Sequence, residues 1–281
     1  MSGLLRCSDD PTRTPGRAKV TGPVQTTEEF VDVGTHRLEV IRIEPQIAGG
    51  GQPLVFLHEG LGSARLWRDF PARVADATRR SAIVYSRAGY GRSSTIVRPR
   101  PVGYMHHEAN DVLPALLERL GVTSPVLIGH SDGASIALIH AAVTPTVVSA
   151  LVVMAPHVFV EPISLQGVRA ARAAALDGPL LERLARHHDD ADAAFWGWND
   201  AWLDPAFAAW DICAGLSCIT APVLAIQGSD DDYATMAQLR AIAGAVADVR
   251  TLELGQCGHS PWRDQPETVL ESITEFLGRD F

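Results

Sequence analysis

Two residues that lie far apart in the chain, Ser131 and His259, have the types and surroundings of a nucleophile and its base. Ser131 is the centre of a G-H-S-D-G pentapeptide that follows an apolar run and precedes a segment with helical spacing. A serine at the apex of a tight turn between strand and helix needs small residues two positions before and after it, because strand and helix approach closely there. Glycines occupy both places, whereas a turn centred on Asp132 would be flanked by His130 and Ala134. The pentapeptide therefore predicts a reactive serine at position 131.

A serine hydroxyl needs a base that removes its proton and a carboxylate that holds this base in the right tautomer. His259 follows the predicted strand Val249–Leu254 in a loop that contains two glycines. The candidate carboxylates follow another apolar run, Pro222–Gly228, and are Asp230, Asp231 and Asp232. Both loops come directly after predicted strands, so we expect them at the same edge of a sheet. At this point the three aspartates remain alternatives.

The elements that must position these residues follow from the hydrophobic pattern. Short continuous apolar runs predict strands of a parallel sheet that is buried on both faces. These runs are Leu54–Leu57, Ala82–Tyr85, Val126–Ile128, Ala150–Met154 and Val223–Ile226. The segments Gly103–Leu120 and Ser135–Ala142 have helical spacing, and Glu28–Ile43 alternates around a turn at Gly34. The pattern predicts an α/β fold with a doubly wound, mostly parallel sheet, preceded by an antiparallel hairpin.

One long segment interrupts this alternation of strands and helices. Residues 161–219 have helical patterns without a convincing strand, so we expect an inserted helical cap between two parts of the core, 28–160 and 220–281. Residues 1–27 are rich in Pro, Gly and Thr and are expected to form a flexible tail. The cap holds four of the six tryptophans, whose rings either form its own core or line an apolar pocket over the sheet. The candidates for contacting a substrate are Trp196, Trp198 and Trp202.

Composition and charge narrow the classes of partner. The chain has 281 residues, 46% of them hydrophobic, and a net charge of −9 without any basic run, which disfavours nucleic acid and anionic membranes. Because no apolar stretch approaches a membrane span and Met1–Asp10 does not read as a secretory signal, we expect a cytoplasmic protein. The four cysteines lack CxxC spacing and are expected to be reduced. We expect no metal and no organic cofactor, since neither an H-E-x-x-H motif nor a phosphate-binding loop is present.

At this point the chain resembles an esterase-like serine hydrolase of the α/β-hydrolase fold with a helical cap. The resemblance covers about Glu28 to Leu277. It rests on the tight turn around Ser131 (the elbow), the loop with the three aspartates (the acidic loop) and the loop with His259, which follow one another along the chain in the order nucleophile, acid, histidine. It implies the triad Ser131, Asp231 and His259, because the family's acid usually stands three residues after the glycine that closes its strand.

The resemblance also implies an oxyanion hole formed by the backbone N–H groups of Gly60 and Asp132. The family usually has a glycine where this chain has Glu59, whose carboxylate could pair with Arg65 or Arg87. A carboxylate at position 132 is explained by the dipole of the helix that begins there. We nevertheless expect the two acidic groups beside the nucleophile to disfavour anionic substrates and to suit neutral or amine-bearing ones. Glu59 is thus a candidate for contacting the substrate.

In this fold His157 would lie at the edge of the active site, either in contact with the substrate or as a loop residue without a chemical role. Haloalkane dehalogenases and epoxide hydrolases of the same fold use an aspartate nucleophile, so Ser131 instead implies an acyl-enzyme with His259 as general base. We expect hydrolysis of carboxylic esters of a small molecule with an apolar acyl or alcohol part. Alternatives on the same triad are hydrolysis of lactones, thioesters or carbon–carbon bonds, and cofactor-free perhydrolysis. A ligand-binding receptor is the non-enzyme alternative, and the sequence leaves both a monomer and a homo-oligomer open.

Overall fold

A computed structural model describes residues 24–278, and its centre is one eight-stranded sheet in the order β1-β2-β4-β3-β5-β6-β7-β8. The strands are β1 (Gln25–Val33), β2 (His36–Glu44), β3 (Leu54–Leu57), β4 (Ala82–Tyr85), β5 (Val126–His130), β6 (Ala150–Met154), β7 (Val223–Gly228) and β8 (Val249–Leu254). β1 and β2 form an antiparallel hairpin, and β2 runs antiparallel to β4. All other neighbours are parallel, which confirms the predicted fold class.

The start of the hairpin differs from the sequence-based expectation. β1 begins at Gln25 rather than at Glu28, because Thr26 and Thr27 continue the ladder opposite β2. Residues 1–23, where most of the expected flexible tail falls, lie outside the described residues.

Helices cover both faces of the sheet. Their bounds are α1 (Phe70–Thr78), α2 (Tyr104–His107), α3 (Leu113–Leu120), α4 (Asp132–Val143), α5 (Pro162–Asp177), α6 (Leu180–Leu184), α7 (Ala191–Leu203), α8 (Cys213–Leu216), α9 (Ala237–Ala245), α10 (Pro261–Asp264) and α11 (Pro266–Leu277). The segment predicted as one helix over Gly103–Leu120 is α2 and α3, joined by a π-helical turn over Glu108–Val112. Every residue of β3 to β7 is buried, so the sheet is fully covered, as a parallel sheet requires.

The segment between β6 and β7 consists of α5 to α8 and a one-turn 3₁₀ helix, and no strand occurs among its described residues. Buried Asn199 joins two of its helices: its amide donates to the carbonyl of Val168 on α5 at 2.9 Å and accepts from Arg172 Nε at 2.7 Å. The Trp202 indole N–H on α7 donates to the Asp132 carboxylate at the start of α4. The inserted helices are therefore tied directly to the turn that carries Ser131. In the part of the chain that is described, no helix has the length and apolar character to cross a membrane.

Candidate active site

Ser131 occupies a strained turn between β5 and α4. Its φ of 51° and ψ of −119° lie in a region that residues with side chains rarely adopt. Close packing enforces this conformation: a Cβ on Gly133 would stand 2.1 Å from the Leu57 carbonyl oxygen, and a Cβ on Gly129 would stand 2.5 Å from the carbonyl oxygen of Gly133. The Ser131 amide donates to the Met154 carbonyl of β6 at 2.9 Å. The two glycines therefore have the steric role that the pentapeptide predicts.

The structure brings Ser131, His259 and Asp231 into one hydrogen-bonded chain. His259 Nδ1 lies 2.8 and 2.9 Å from the two carboxylate oxygens of Asp231, and its Nε2 lies 2.9 Å from Ser131 Oγ. A carboxylate only accepts, so Nδ1 carries the proton and Nε2 is free to accept from the serine hydroxyl. This tautomer is the one a general base for Ser131 requires.

Asp231 is held in place by donors from its own loop. Its carboxylate accepts from the Gln227 side chain at 2.5 Å and from the backbone amides of Tyr233 and Ala234 at 2.7 and 3.2 Å. Burial opposes ionisation, but the hydrogen bond and charge of His259, together with the Tyr233 amide, outweigh it and keep the pKa of Asp231 below its ordinary value. The sequence alternatives Asp230 and Asp232 are exposed, so Asp231 alone among the three meets His259.

The backbone N–H groups of Gly60 and Asp132 donate no hydrogen bond to any residue in the range 24–278. Gly60 lines the cavity beside Ser131, and Asp132 opens α4. Two free amides beside a nucleophile fit the negatively charged oxygen of a tetrahedral intermediate. The oxyanion hole that the resemblance implies at these two residues stays a prediction.

The Asp132 carboxylate faces away from this cavity, contrary to the expectation that it stands beside a substrate. It is fully buried and accepts from the Tyr104 hydroxyl and from the Trp202 indole. Burial raises its pKa, and the charge of Arg87 and these two hydrogen bonds oppose the rise only in part. The carboxylate therefore ties the inserted helices to the turn that carries Ser131, and the helix dipole is only part of its explanation.

Glu59 does line the cavity, but neither predicted arginine pairs with its carboxylate. Arg65 instead binds Glu28 and Glu39, and the Arg87 guanidinium donates to main-chain carbonyls, including that of Glu59. The basic group near Glu59 is His130, whose Nδ1 lies 3.6 Å from Glu59 Oε2. Burial opposes ionisation of Glu59, but the hydrogen bond and charge of His130 outweigh it and lower the pKa. Glu59 is thus an ionised carboxylate whose side chain keeps 26% of its surface exposed.

A cavity of about 100 Å³ adjoins the Ser131 hydroxyl. It is lined by Glu59, Gly60, Leu61, Ser131, His157, Val168, Trp198, Trp202, Tyr233 and His259. Burial and the nearby His259 lower the pKa of His157 to about 3, so His157 is neutral at ordinary pH. Of the three candidate tryptophans, Trp198 and Trp202 reach the cavity, whereas Trp196 does not and donates to Asp192. Trp196 lies away from this cavity because it is two positions from Trp198 and on another face of the helix, while residues four apart share a face.

The sequence reading missed Tyr233 and His130. Tyr233 stands two residues after Asp231, and its ring lies 4.8 Å from the ring of His259; its place in the acidic loop was the available signal. His130 Nε2 donates to the main-chain carbonyl of His259 at 2.6 Å. This contact joins the end of β5 to the loop that carries His259, and no local pattern indicates it. Among residues 24–278 no group of three or more His, Cys, Asp or Glu is arranged to hold a metal ion.

The fold and this site agree with the similarity of the chain to known proteins. The chain belongs to the alpha/beta hydrolase family, whose model matches residues 54–272. A Mycobacterium tuberculosis protein provisionally named non-heme bromoperoxidase BpoC is 27% identical over 266 residues, covering 82% of this chain and 95% of its own. The 2-hydroxy-6-oxo-6-phenylhexa-2,4-dienoate hydrolase of Burkholderia cepacia is 22% identical over 280 residues, covering 90% and 96%. A crystal structure of proline iminopeptidase from Mycobacterium smegmatis matches with a TM-score of 0.72 at 22% identity, covering 89% and 97%.

Proposed function

We propose that this hydrolase cleaves carboxylic esters of small molecules through an acyl-enzyme on Ser131. The observation that carries the proposal is the continuous chain of hydrogen bonds from Ser131 Oγ through His259 to Asp231, at the edge of a cavity. His259 takes the hydroxyl proton as Oγ attacks the ester carbonyl, and the amides of Gly60 and Asp132 bind the resulting oxyanion.

The same imidazole completes both halves of the reaction. His259 gives its proton to the leaving alcohol, which leaves the acyl group on Ser131. It then takes a proton from water as the water attacks the acyl carbon, and it returns this proton to Ser131 Oγ as the acid is released. Asp231 stays ionised and stabilises the imidazolium that forms in each half, in keeping with its lowered pKa.

The charge of the cavity favours neutral or cationic substrates over anionic ones. Glu59 is ionised and lines the cavity, and the cavity residues that the structure describes include neither lysine nor arginine. A substrate with a carboxylate near its reacting carbon, such as a dienoate, would meet this negative charge without a counter-ion. The relatives are named as a peroxidase, a dienoate hydrolase and a peptidase. Because these names differ in the reaction, our proposal for the bond that is cleaved rests on the cavity. Its small volume and aromatic walls support a short, neutral acyl or alcohol part.

The test is hydrolysis of matched p-nitrophenyl esters that differ only in the charge of the acyl group. We expect the wild-type protein to cleave the neutral butyrate with a higher kcat/KM than the anionic hemisuccinate, and Glu59→Gln to narrow that ratio by about tenfold. The control Glu118→Gln, an exposed carboxylate on α3, should leave the ratio unchanged. Labelling by a fluorophosphonate should occur in wild-type protein and be lost in Ser131→Ala.

The outcomes of this test bear separately on the serine nucleophile, on the bond that is cleaved and on the role of Glu59. Folded wild-type protein that resists labelling would refute a serine hydrolase and favour the ligand-binding alternative. Labelling without turnover of any ester, together with turnover of a lactone or of a ring-cleavage dienoate, would assign the triad to that other bond. Equal ratios in wild type and Glu59→Gln would remove the role of Glu59 and leave the ester assignment intact.

A further inference from the structure

Trp198 carries an indole N–H that no other residue uses. Within the range 24–278 its Nε1 donates to no acceptor, although the side chain is only 6% exposed. The other two tryptophans of α7 both have partners: Trp196 donates to Asp192, and Trp202 donates to Tyr104 and Asp132. A buried indole N–H normally finds an acceptor. Because Trp198 lines the cavity beside Ser131, the missing acceptor is one that a bound molecule can supply.

The position of this indole singles out one side of the cavity. A Cβ built on Gly60 would stand 2.2 Å from Trp198 Nε1, 2.5 Å from Cδ1 and 2.9 Å from Cε2. Because Nε1 and both ring carbons bonded to it are close to this point, the face of the five-membered ring lies against Gly60. The N–H lies in the ring plane and therefore does not point at this Cβ position, which leaves it free to meet a molecule bound in the cavity.

Two other polar rings of the cavity, those of Tyr233 and His157, pack beside the general base. The rings of Tyr233 and His157 are 4.8 and 5.7 Å from the ring of His259, where the leaving group and water must pass. Trp198 is thus a cavity residue whose side-chain donor lies against Gly60, the residue that also supplies a backbone amide. That amide and the amide of Asp132 bind the oxyanion in the proposed mechanism.

We propose that Trp198 Nε1–H is a third hydrogen-bond donor to the oxyanion of the tetrahedral intermediate, which makes Trp198 a further catalytic residue supplied by the inserted helices. This inference rests on the proposed function. The indole is held by packing, with only 6% of Trp198 exposed, so little reorganisation is needed when charge develops on the substrate oxygen. A donor that meets more negative charge in the transition state than in the ester lowers the barrier to reaction and leaves substrate binding nearly unchanged.

The same contact explains why glycine is needed at position 60. Any side chain there would overlap the indole ring and displace it from the loop. Gly60 therefore serves its own amide and also the approach of Trp198. Trp198 of the inserted helices and Gly60 of the loop after β3 therefore act together.

The experiment compares Trp198→Phe, which removes the N–H and keeps an aromatic ring, with Trp210→Phe as the matched control. Trp210 also lies in the inserted segment, is buried and has an unpartnered Nε1, but it does not line the cavity. For the p-nitrophenyl ester that wild type cleaves best, we expect Trp198→Phe to lower kcat by about 100-fold with KM within about twofold. Trp210→Phe should leave both constants unchanged.

Two further measurements separate the missing donor from a change of shape. Replacing Trp198 with β-(3-benzothienyl)alanine substitutes sulfur for the N–H in a ring of nearly the same outline, and we expect the same loss of kcat. A trifluoromethyl ketone, which forms a tetrahedral adduct with serine, should bind both variants more weakly by the same factor as the loss of kcat. If kcat stays unchanged, or if only KM rises, the oxyanion role is refuted. The proposed function would still stand in either case, since it is tested by Ser131→Ala in otherwise unaltered protein.

Discussion

At the scale of single residues, His130 has two contacts that fix the position of the general base. Its Nε2 donates to the His259 carbonyl at 2.6 Å, and its Nδ1 lies 3.3 Å from the Trp262 indole nitrogen. The ring is 1% exposed and stands 5.4 Å from the ring of His259. His130 therefore acts on the reaction through the main chain of another residue, and we regard it as a positioning residue.

We expect His130→Phe to lower kcat between about 10- and 100-fold, because the loop of His259 loses its anchor and small displacements of a catalytic group are costly. KM should change little, since His130 does not line the cavity. His130→Gln, whose amide can still donate to the carbonyl, should recover most of the loss. Steady-state kinetics and the rate of fluorophosphonate labelling measure both effects.

The control for this prediction is His107→Phe, because His107 is exposed and pairs only with Asp111 on its own helical segment. It should leave kcat at the wild-type value. An unchanged kcat in His130→Phe, or a failure of His130→Gln to restore the rate, would contradict the positioning role.

Residues differ in how far the sequence reveals them, and the reason is the range of the contacts that define their roles. Ser131 is predictable because five consecutive residues determine its turn. The triad acid needs the family's spacing, since Asp231 differs from its two neighbours only in where its side chain points. Trp198 and His130 depend on contacts with Gly60 and the His259 loop, more than 100 positions away in the chain, which no local pattern encodes.

At the scale of elements, the junction of β5 and α4 is closely packed. A Cβ on Gly133 would overlap the main chain of β3, which cannot move without disturbing the sheet. We expect Gly133→Ala to lower the free energy of unfolding by about 3 kcal/mol and to abolish ester hydrolysis, because the turn can no longer hold Ser131. Urea denaturation followed by circular dichroism measures the first effect, and p-nitrophenyl ester turnover measures the second.

The control comes from another helical glycine. Gly244 lies inside α9, and a Cβ there meets no atom within 4 Å. Gly244→Ala should raise the free energy of unfolding by about 0.5 to 1 kcal/mol, because alanine favours a helix over glycine. If Gly133→Ala were as stable as Gly244→Ala, the close approach of strand and helix would not explain the two glycines of the elbow.

The same element scale explains which parts of the fold are predictable. Fully buried strands such as Leu54–Leu57 and Ala82–Tyr85 have the predicted bounds, because burial on both faces requires an uninterrupted apolar run. The π-helical turn over Glu108–Val112 was not predicted, since its residues continue the helical period of the segments beside it. In α7 the helical period places Trp198 and Trp202 on one face and Trp196 on another. The sequence pattern could therefore have separated Trp196 from the two tryptophans that line the cavity.

At the scale of the whole molecule, the core holds several histidines that burial keeps neutral. Burial lowers the pKa of four of them, and for one the value falls to about 3. They are His58, His140, His157 and His188. Each takes up a proton near pH 6.5 in the unfolded chain but not in the folded protein. Unfolding therefore binds protons over this range, and the molecule should lose stability in mild acid.

His157 offers the sharpest test of this acid sensitivity. Because its folded pKa lies near 3 and its unfolded pKa near 6.5, it contributes a loss of about 1.4 kcal/mol for each pH unit between pH 6 and 5, and the loss grows as pH falls towards the folded value. The raised pKa of Asp132 makes the folded protein more stable as the pH falls further. This contribution is the same in wild type and in the variant His157→Phe. We expect His157→Phe to reduce the slope of unfolding free energy against pH by that amount, measured by urea denaturation at pH 7, 6, 5.5 and 5. Equal slopes in the two proteins would mean that His157 is protonated in the folded state.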